Sequence, residues 1–131
     1  MTSLDYETTK LSGCVKNHTG AEIIFSSENA SYCVGLVDVV GSTRIASRLS
    51  NVKICEFYST FLNFMAYVVK SHDAVVVKNI GDGILWYFPK TLDCVDRLEL
   101  SKSLLCGMDM VDAHEKINKI MSEKELPSVD Y

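Results

Sequence analysis

Val37-Asp38-Val39-Val40-Gly41-Ser42-Thr43 and Val77-Lys78-Asn79-Ile80-Gly81-Asp82-Gly83 decide how this chain is read. Each sets one aspartate beside a glycine at the end of an apolar, β-branched run. Tyr32 to Val37 reads as a buried strand whose apolarity Asp38 breaks. Ala74 to Val77 reads as a second strand and Ile84 to Phe88 as a third, with Gly81-Asp82-Gly83 as the turn between them. If the strands are neighbours, both carboxylates converge at one sheet edge, which is what a divalent cation requires.

Outward from these stretches, the first strand runs on to Val40. Gly41-Ser42-Thr43 opens a helix that Ser42 or Thr43 can cap, continued by Ile45, Ala46 and Leu49. After Ser50-Asn51 a longer helix is expected over Val52 to Lys70. Its apolar residues Ile54, Phe57, Tyr58, Phe61, Leu62, Met65, Val68 and Val69 recur with helical period. That stripe is core rather than a ligand box. Ser71-His72-Asp73 ends this helix, Ala74 to Ile80 and Ile84 to Phe88 form a hairpin, and Pro89 terminates it. Trp86 and Phe88 alternate with Leu85 and Tyr87, so both faces of that strand carry bulky groups.

One further long helix is expected, with Leu100, Leu104, Leu105, Met108, Val111, Ile117, Ile120 and Met121 as its apolar side and Glu115–Lys119 as an exposed i, i+4 pair. Leu126-Pro127 ends it, and Ser128 to Tyr131 reads as an incipient strand. The order, βααββα plus that strand, predicts an α+β, ferredoxin-like fold: an antiparallel sheet with helices packed on it. Residues 1–30 read as a lead-in, with a short strand at Ala21–Phe25. Residues 31–131 read as the domain. His18, His72 and His114 are each isolated and are read as solvated or structural.

The length of 131 residues fits a single core. An apolar fraction of 47% and a charged fraction of 23% are those of a soluble globular protein. The net charge of −4, without a run of either sign, gives no basic signature for nucleic acid. An acidic protein that binds a polyphosphate needs a cation between them, which suits a metal site. Cys14, Cys33, Cys55, Cys94 and Cys106 are odd in number, widely spaced and without a C-x-x-C pair. That argues against a disulfide framework or structural zinc and for reduced thiols in a cytoplasmic protein. No signal-peptide pattern is seen, and the longest apolar runs are far shorter than a membrane span.

A hard cation such as Mg²⁺ takes one or two protein carboxylates and fills its shell with phosphate oxygens and water. Asp38 and Asp82 meet that demand. The backbone N–H groups at Gly41, Ser42 and Thr43 add the positive end of a helix, and glycine lets a phosphate come close. Plainer readings exist for each part. Asp38 can be a helix cap, Gly81-Asp82-Gly83 an ordinary hairpin turn, and Lys78 an exposed strand lysine. The pair is harder to dismiss, because Asp38 ends an otherwise apolar strand, where burial without a partner is costly.

Together the two stretches resemble the catalytic domain of class III nucleotidyl cyclases, the adenylate and guanylate cyclases. That pattern has an apolar strand, Asp, two residues, Gly, Phe or Ser, and Thr. Later it has Lys, two residues, Gly, Asp and an apolar strand. The resemblance spans Tyr32 to Tyr131. It implies that Asp38 and Asp82, with the Val39 carbonyl, bind two Mg²⁺ or Mn²⁺ ions. It implies that the amides from Val40 to Thr43 (Val40, Gly41, Ser42, Thr43) hold the phosphates. Lys78 matches the position that reads adenine in adenylate cyclases, where guanylate cyclases tend to carry glutamate; this tilts the substrate toward ATP.

The implied reaction forms cyclic AMP and pyrophosphate in a head-to-tail homodimer. The family's second base-reading residue and its asparagine–arginine pair have no counterpart in Glu123 to Tyr131. The expectation is therefore an incomplete domain, inactive alone, whose parent is the enzyme. A diguanylate cyclase ranks lower, because Ile80-Gly81-Asp82-Gly83-Ile84 lacks that family's acidic hairpin. A non-catalytic regulatory or dimerisation module, a guanylate cyclase and a ferredoxin-like interaction domain without a nucleotide site remain the alternatives.

Overall fold

The computed structural model describes residues 29–131. The expected lead-in, the strand at Ala21–Phe25, His18 and Cys14 lie outside the described residues. The elements are β1 (Val34–Val37), α1 (Ser42–Ala46), α2 (Asn51–Ser71), β2 (Val75–Ile80), β3 (Gly83–Tyr87), a 3₁₀ turn (Pro89–Cys94), α3 (Arg97–Asp112) and α4 (His114–Glu123). This is the expected α+β arrangement. The sheet is antiparallel in the order β1-β3-β2, and the helices pack on one side of it.

β1 is shorter than the apolar run that predicts it. Its ladder with β3 runs from Val34↔Tyr87 to Val37↔Ile84. Beyond Ile84 the partner strand turns at Gly83, so Asp38 has no ladder to join. At the chain's other end, Val40 donates its N–H to the Asp130 carbonyl at 2.8 Å. Ser128 to Tyr131 therefore touches the segment that follows β1, but it forms no strand: among the described residues the sheet has three strands.

α2 is the spine of the core. Ser50 caps it, accepting from the Lys53 N–H at 3.4 Å. Its far end closes through Asp73 in the left-handed region (φ 59) and an Ala74 N–H to Val69 carbonyl bond. Phe57, Phe61, Met65 and Val69 are fully buried, in one cluster with Val37, Ile84 and Trp86 of the sheet and Ile117 and Met121 of α4. Each such aromatic contributes about 1.5–3 kcal/mol through the water it excludes. Thr91 is the buried polar residue of this core. Its hydroxyl accepts from Cys33 N–H at 2.8 Å and donates to the Phe88 carbonyl at 2.7 Å, tying the 3₁₀ turn to the entry of β1.

The single long C-terminal helix expected from the sequence is two helices, broken at Ala113. Its inward face also differs. Leu104, Met108 and Val111 are 72%, 61% and 71% exposed, while Cys106 and Met110 are buried. α3 carries two apolar stripes, and periodicity alone does not say which one meets α2. His72 bonds Asp109 at 2.7 Å and His114 bonds Asp130 at 2.9 Å, so both are structural. Glu115 and Lys119 are exposed, and they form no ion pair among the described residues.

The other face of the sheet is open. Register places Val34, Leu36, Leu85, Tyr87, Val75 and Lys78 on it. A bulge between Val76 and Lys78 keeps Lys78 opposite Leu85. No described helix is long and apolar enough to cross a membrane.

Candidate functional site

Two features of the backbone build the site. β1 alternates its residues between core and open face: Val37 and Val39 are buried, and Asp38 between them is exposed. Across from Asp38, the β2–β3 hairpin turns in two residues, Gly81 and Asp82, since Ile80 already pairs with Gly83. Gly81 has φ 61, the left-handed conformation that glycine adopts without penalty.

Gly83 brings the two stretches together. It is buried, and a Cβ there would meet the Val37 carbonyl and stand 3.0 Å from Oδ1 of Asp38. Only a residue without a side chain lets the hairpin approach the end of β1 this closely. The Asp82 carboxyl is held below the usual carboxylate value, first by the neighbouring Ser42 side chain. Partial burial opposes this, and smaller contributions come from its own amide and from the neighbouring Asp38 side chain. Asp38, Asp82 and Ser42 therefore converge from three separate elements.

The plain reading of Asp38 as a helix cap is not what the structure shows. The cap of α1 is Gly41 (φ 69), with no side-chain capping bond. The same fact corrects the expectation that Ser42 or Thr43 caps this helix: Ser42 is its first residue. The first N–H groups to bond back are those of Arg44 and Ile45, both to the Gly41 carbonyl. The amides of Gly41, Ser42 and Thr43 precede that ladder. The Val40 amide is already engaged by the Asp130 carbonyl, so it is not available to an anion in this arrangement.

Chemically, two like-charged carboxylates side by side repel unless a proton or a cation lies between them. Neither forms an ion pair with Lys, Arg or His among the described residues. An oxygen-only donor set of two carboxylates with nearby carbonyl groups fits a hard divalent cation and does not fit zinc.

Lys78 lies apart from the pair. Its ladder position is two strands from β1, about 10 Å across the sheet. It shares the open face with Asp38. Arg44 of α1 and Arg48 in the turn after it were not singled out by sequence reasoning, although their spacing of four was a visible signal. Asn118, whose role emerges only from the fold, was also missed.

No protein-family profile matches the chain, and no curated protein matches it in sequence. Among solved structures it is similar to the guanylyl cyclase Cya2, with a TM-score of 0.66 and 20% identity over 78% of this chain. The chain spans 51% of the length of that protein. At this identity the likeness speaks for the fold: the chain has a cyclase-like, ferredoxin-like fold.

Proposed function

We propose that this is the metal-binding portion of a nucleotidyl cyclase that converts ATP to cyclic AMP and pyrophosphate. The convergence of Asp38 and Asp82 without a basic partner carries this reading. Asp38, Asp82 and the Val39 carbonyl would hold two Mg²⁺ or Mn²⁺ ions. The amides of Gly41, Ser42 and Thr43 would receive the phosphates; the Val40 amide would join them only on releasing Asp130. Bound there, the ions would lower the pKa of the ribose 3′-hydroxyl and offset the charge of the triphosphate.

The work of the chain itself is positional. Gly83 lets the hairpin approach Asp38, and the Ser42 side chain lowers the pKa of Asp82. In the reaction the 3′-oxygen attacks the α-phosphorus and pyrophosphate leaves. Lys78 would donate to the adenine N1 acceptor of the nucleotide held by a second copy. Asp38 and Lys78 on one open, largely apolar face support two copies meeting across that face in a homodimer. The chain spans 51% of the length of the guanylyl cyclase it is similar to, and the family's transition-state asparagine and arginine have no counterpart among its residues.

The test is an assay of the protein with ATP and with GTP in Mn²⁺ or Mg²⁺, beside Asp38→Ala. Cyclic AMP that disappears in the variant supports the reading. Cyclic GMP in place of cyclic AMP would move the substrate to GTP, as the name of the guanylyl cyclase it resembles in fold suggests. No product from either nucleotide, and no metal-dependent binding, would leave a regulatory or dimerisation module.

A further inference from the structure

We infer that the cavity between α1 and residues 127–130 is a binding site for a phosphate-class oxyanion, held by Arg44 and Arg48. The cavity has a volume of about 250 Å³, and Val40, Arg44, Arg48, Pro127, Ser128 and Asp130 are among the residues that line it. That volume admits inorganic phosphate or pyrophosphate.

Arg44 lies in α1 and Arg48 in the turn just after it; both line the cavity, where their like charges repel. Among the described residues neither forms an ion pair. The one carboxylate on the wall is directed elsewhere: Oδ1 of Asp130 bonds His114 at 2.9 Å. Two arginines therefore line a cavity whose one acid is hydrogen-bonded to His114. Guanidinium forks match phosphate oxygens in pairs. Ser128 adds a hydroxyl.

The site adjoins the loop at Gly41, where a Cβ would stand 3.6 Å from an Arg44 guanidinium nitrogen. The same phosphate chemistry could come from free pyrophosphate or from the tail of a nucleotide. The site needs no divalent cation, which separates it from the metal site proposed above.

The test is calorimetric titration of the 131-residue chain with pyrophosphate in EDTA, repeated with ATP, for the native chain and the R44Q/R48Q double variant. Saturable binding is expected in the native chain. Binding weakened by about tenfold or more is expected in the double variant, from the loss of charge-assisted hydrogen bonds. Circular dichroism identical to the native chain shows that the double variant is folded. Equal affinity for ATP, in competition with pyrophosphate, identifies a nucleotide tail; binding of pyrophosphate alone identifies the free anion. Absence of saturable binding in the folded native chain, or unchanged affinity in the double variant, overturns the inference. Failure of metal-dependent nucleotide binding alone would overturn the cyclase reading and leave this one standing.

Discussion

Gly83 lies so close to Asp38 that a Cβ on the glycine would stand 3.0 Å from the aspartate's Oδ1. Gly83→Ala tests whether this closeness matters. The added methyl also meets the Val37 carbonyl, a backbone atom that cannot move without disturbing β1. Overpacking of this kind costs about 1–3 kcal/mol. The expected result is a lower urea midpoint with an unchanged m-value. Mn²⁺ binding, read by water-proton relaxation, is expected to weaken more than the stability loss explains. Native-like stability in the variant would show that the hairpin is free to move away from β1.

Ser42 and Asp82 make a second, titratable relationship. The Ser42 side chain is the largest cause of the depressed Asp82 pKa. Ser42→Ala should raise that pKa toward the ordinary aspartate value of about 3.9, read by carboxyl NMR titration without divalent cations. Because the folded-state value is the lower one, its stabilising effect is complete above the unfolded-state pKa. It is lost as pH falls through the folded-state value. Asp82 is half-buried beside solvent, so the titration and not the melting temperature is the sensitive readout. An Asp82 pKa unchanged by the substitution would refute the assignment.

Much of this was legible in the sequence. The period of Phe57, Phe61 and Met65 fixed α2, and Gly81-Asp82-Gly83 marked the hairpin, because both signals are local. The pairing of Asp38 with Asp82 was also legible, since a polar residue ending an apolar run implies a partner. What was not legible depends on tertiary packing. α3 has two apolar stripes, and only the position of α2 selects Cys106 and Met110 over Leu104 and Met108. The engagement of the Val40 amide arises from a residue 90 positions later, which no local pattern encodes. The cap of α1 was misread because Ser and Thr usually fill that position, whereas here the left-handed backbone of Gly41 does so.

Cys106 offers a check on the inward face of α3. Burial, with a smaller contribution from Asp109, pushes its thiol pKa up to about 11. At pH 8 only about one thiol in a thousand is then ionised, and the thiolate is the reactive form. Cys55 and Cys94 are exposed. Iodoacetamide at pH 8, followed by peptide mass mapping, should modify Cys55 and Cys94 and spare Cys106 until denaturant is added. Early modification of Cys106 would mean that α3 presents the other stripe to α2.

Asn118 sets the position of the segment that touches the residues after β1. Its Oδ1 accepts from the Val129 N–H at 2.7 Å, and its Nδ2 donates to the Val129 carbonyl at 2.9 Å. One side chain thus bonds both backbone groups of a fully buried residue, much as a neighbouring strand would. Tyr131 adds a second tether through its hydroxyl, which donates to the Met110 carbonyl at 2.6 Å. Asn118→Ala orphans both Val129 groups, at about 1–3 kcal/mol each. Asn118→Asp keeps the acceptor for the Val129 N–H and loses the donor to its carbonyl, so its cost should be intermediate. Hydrogen exchange should locate the loss. The Val129 amide is expected to exchange faster in Asn118→Ala, and so is the Val40 amide, because its acceptor, the Asp130 carbonyl, is in the released segment. Unchanged protection at Val40 would show that residues 127–131 are held against the segment after β1 without Asn118.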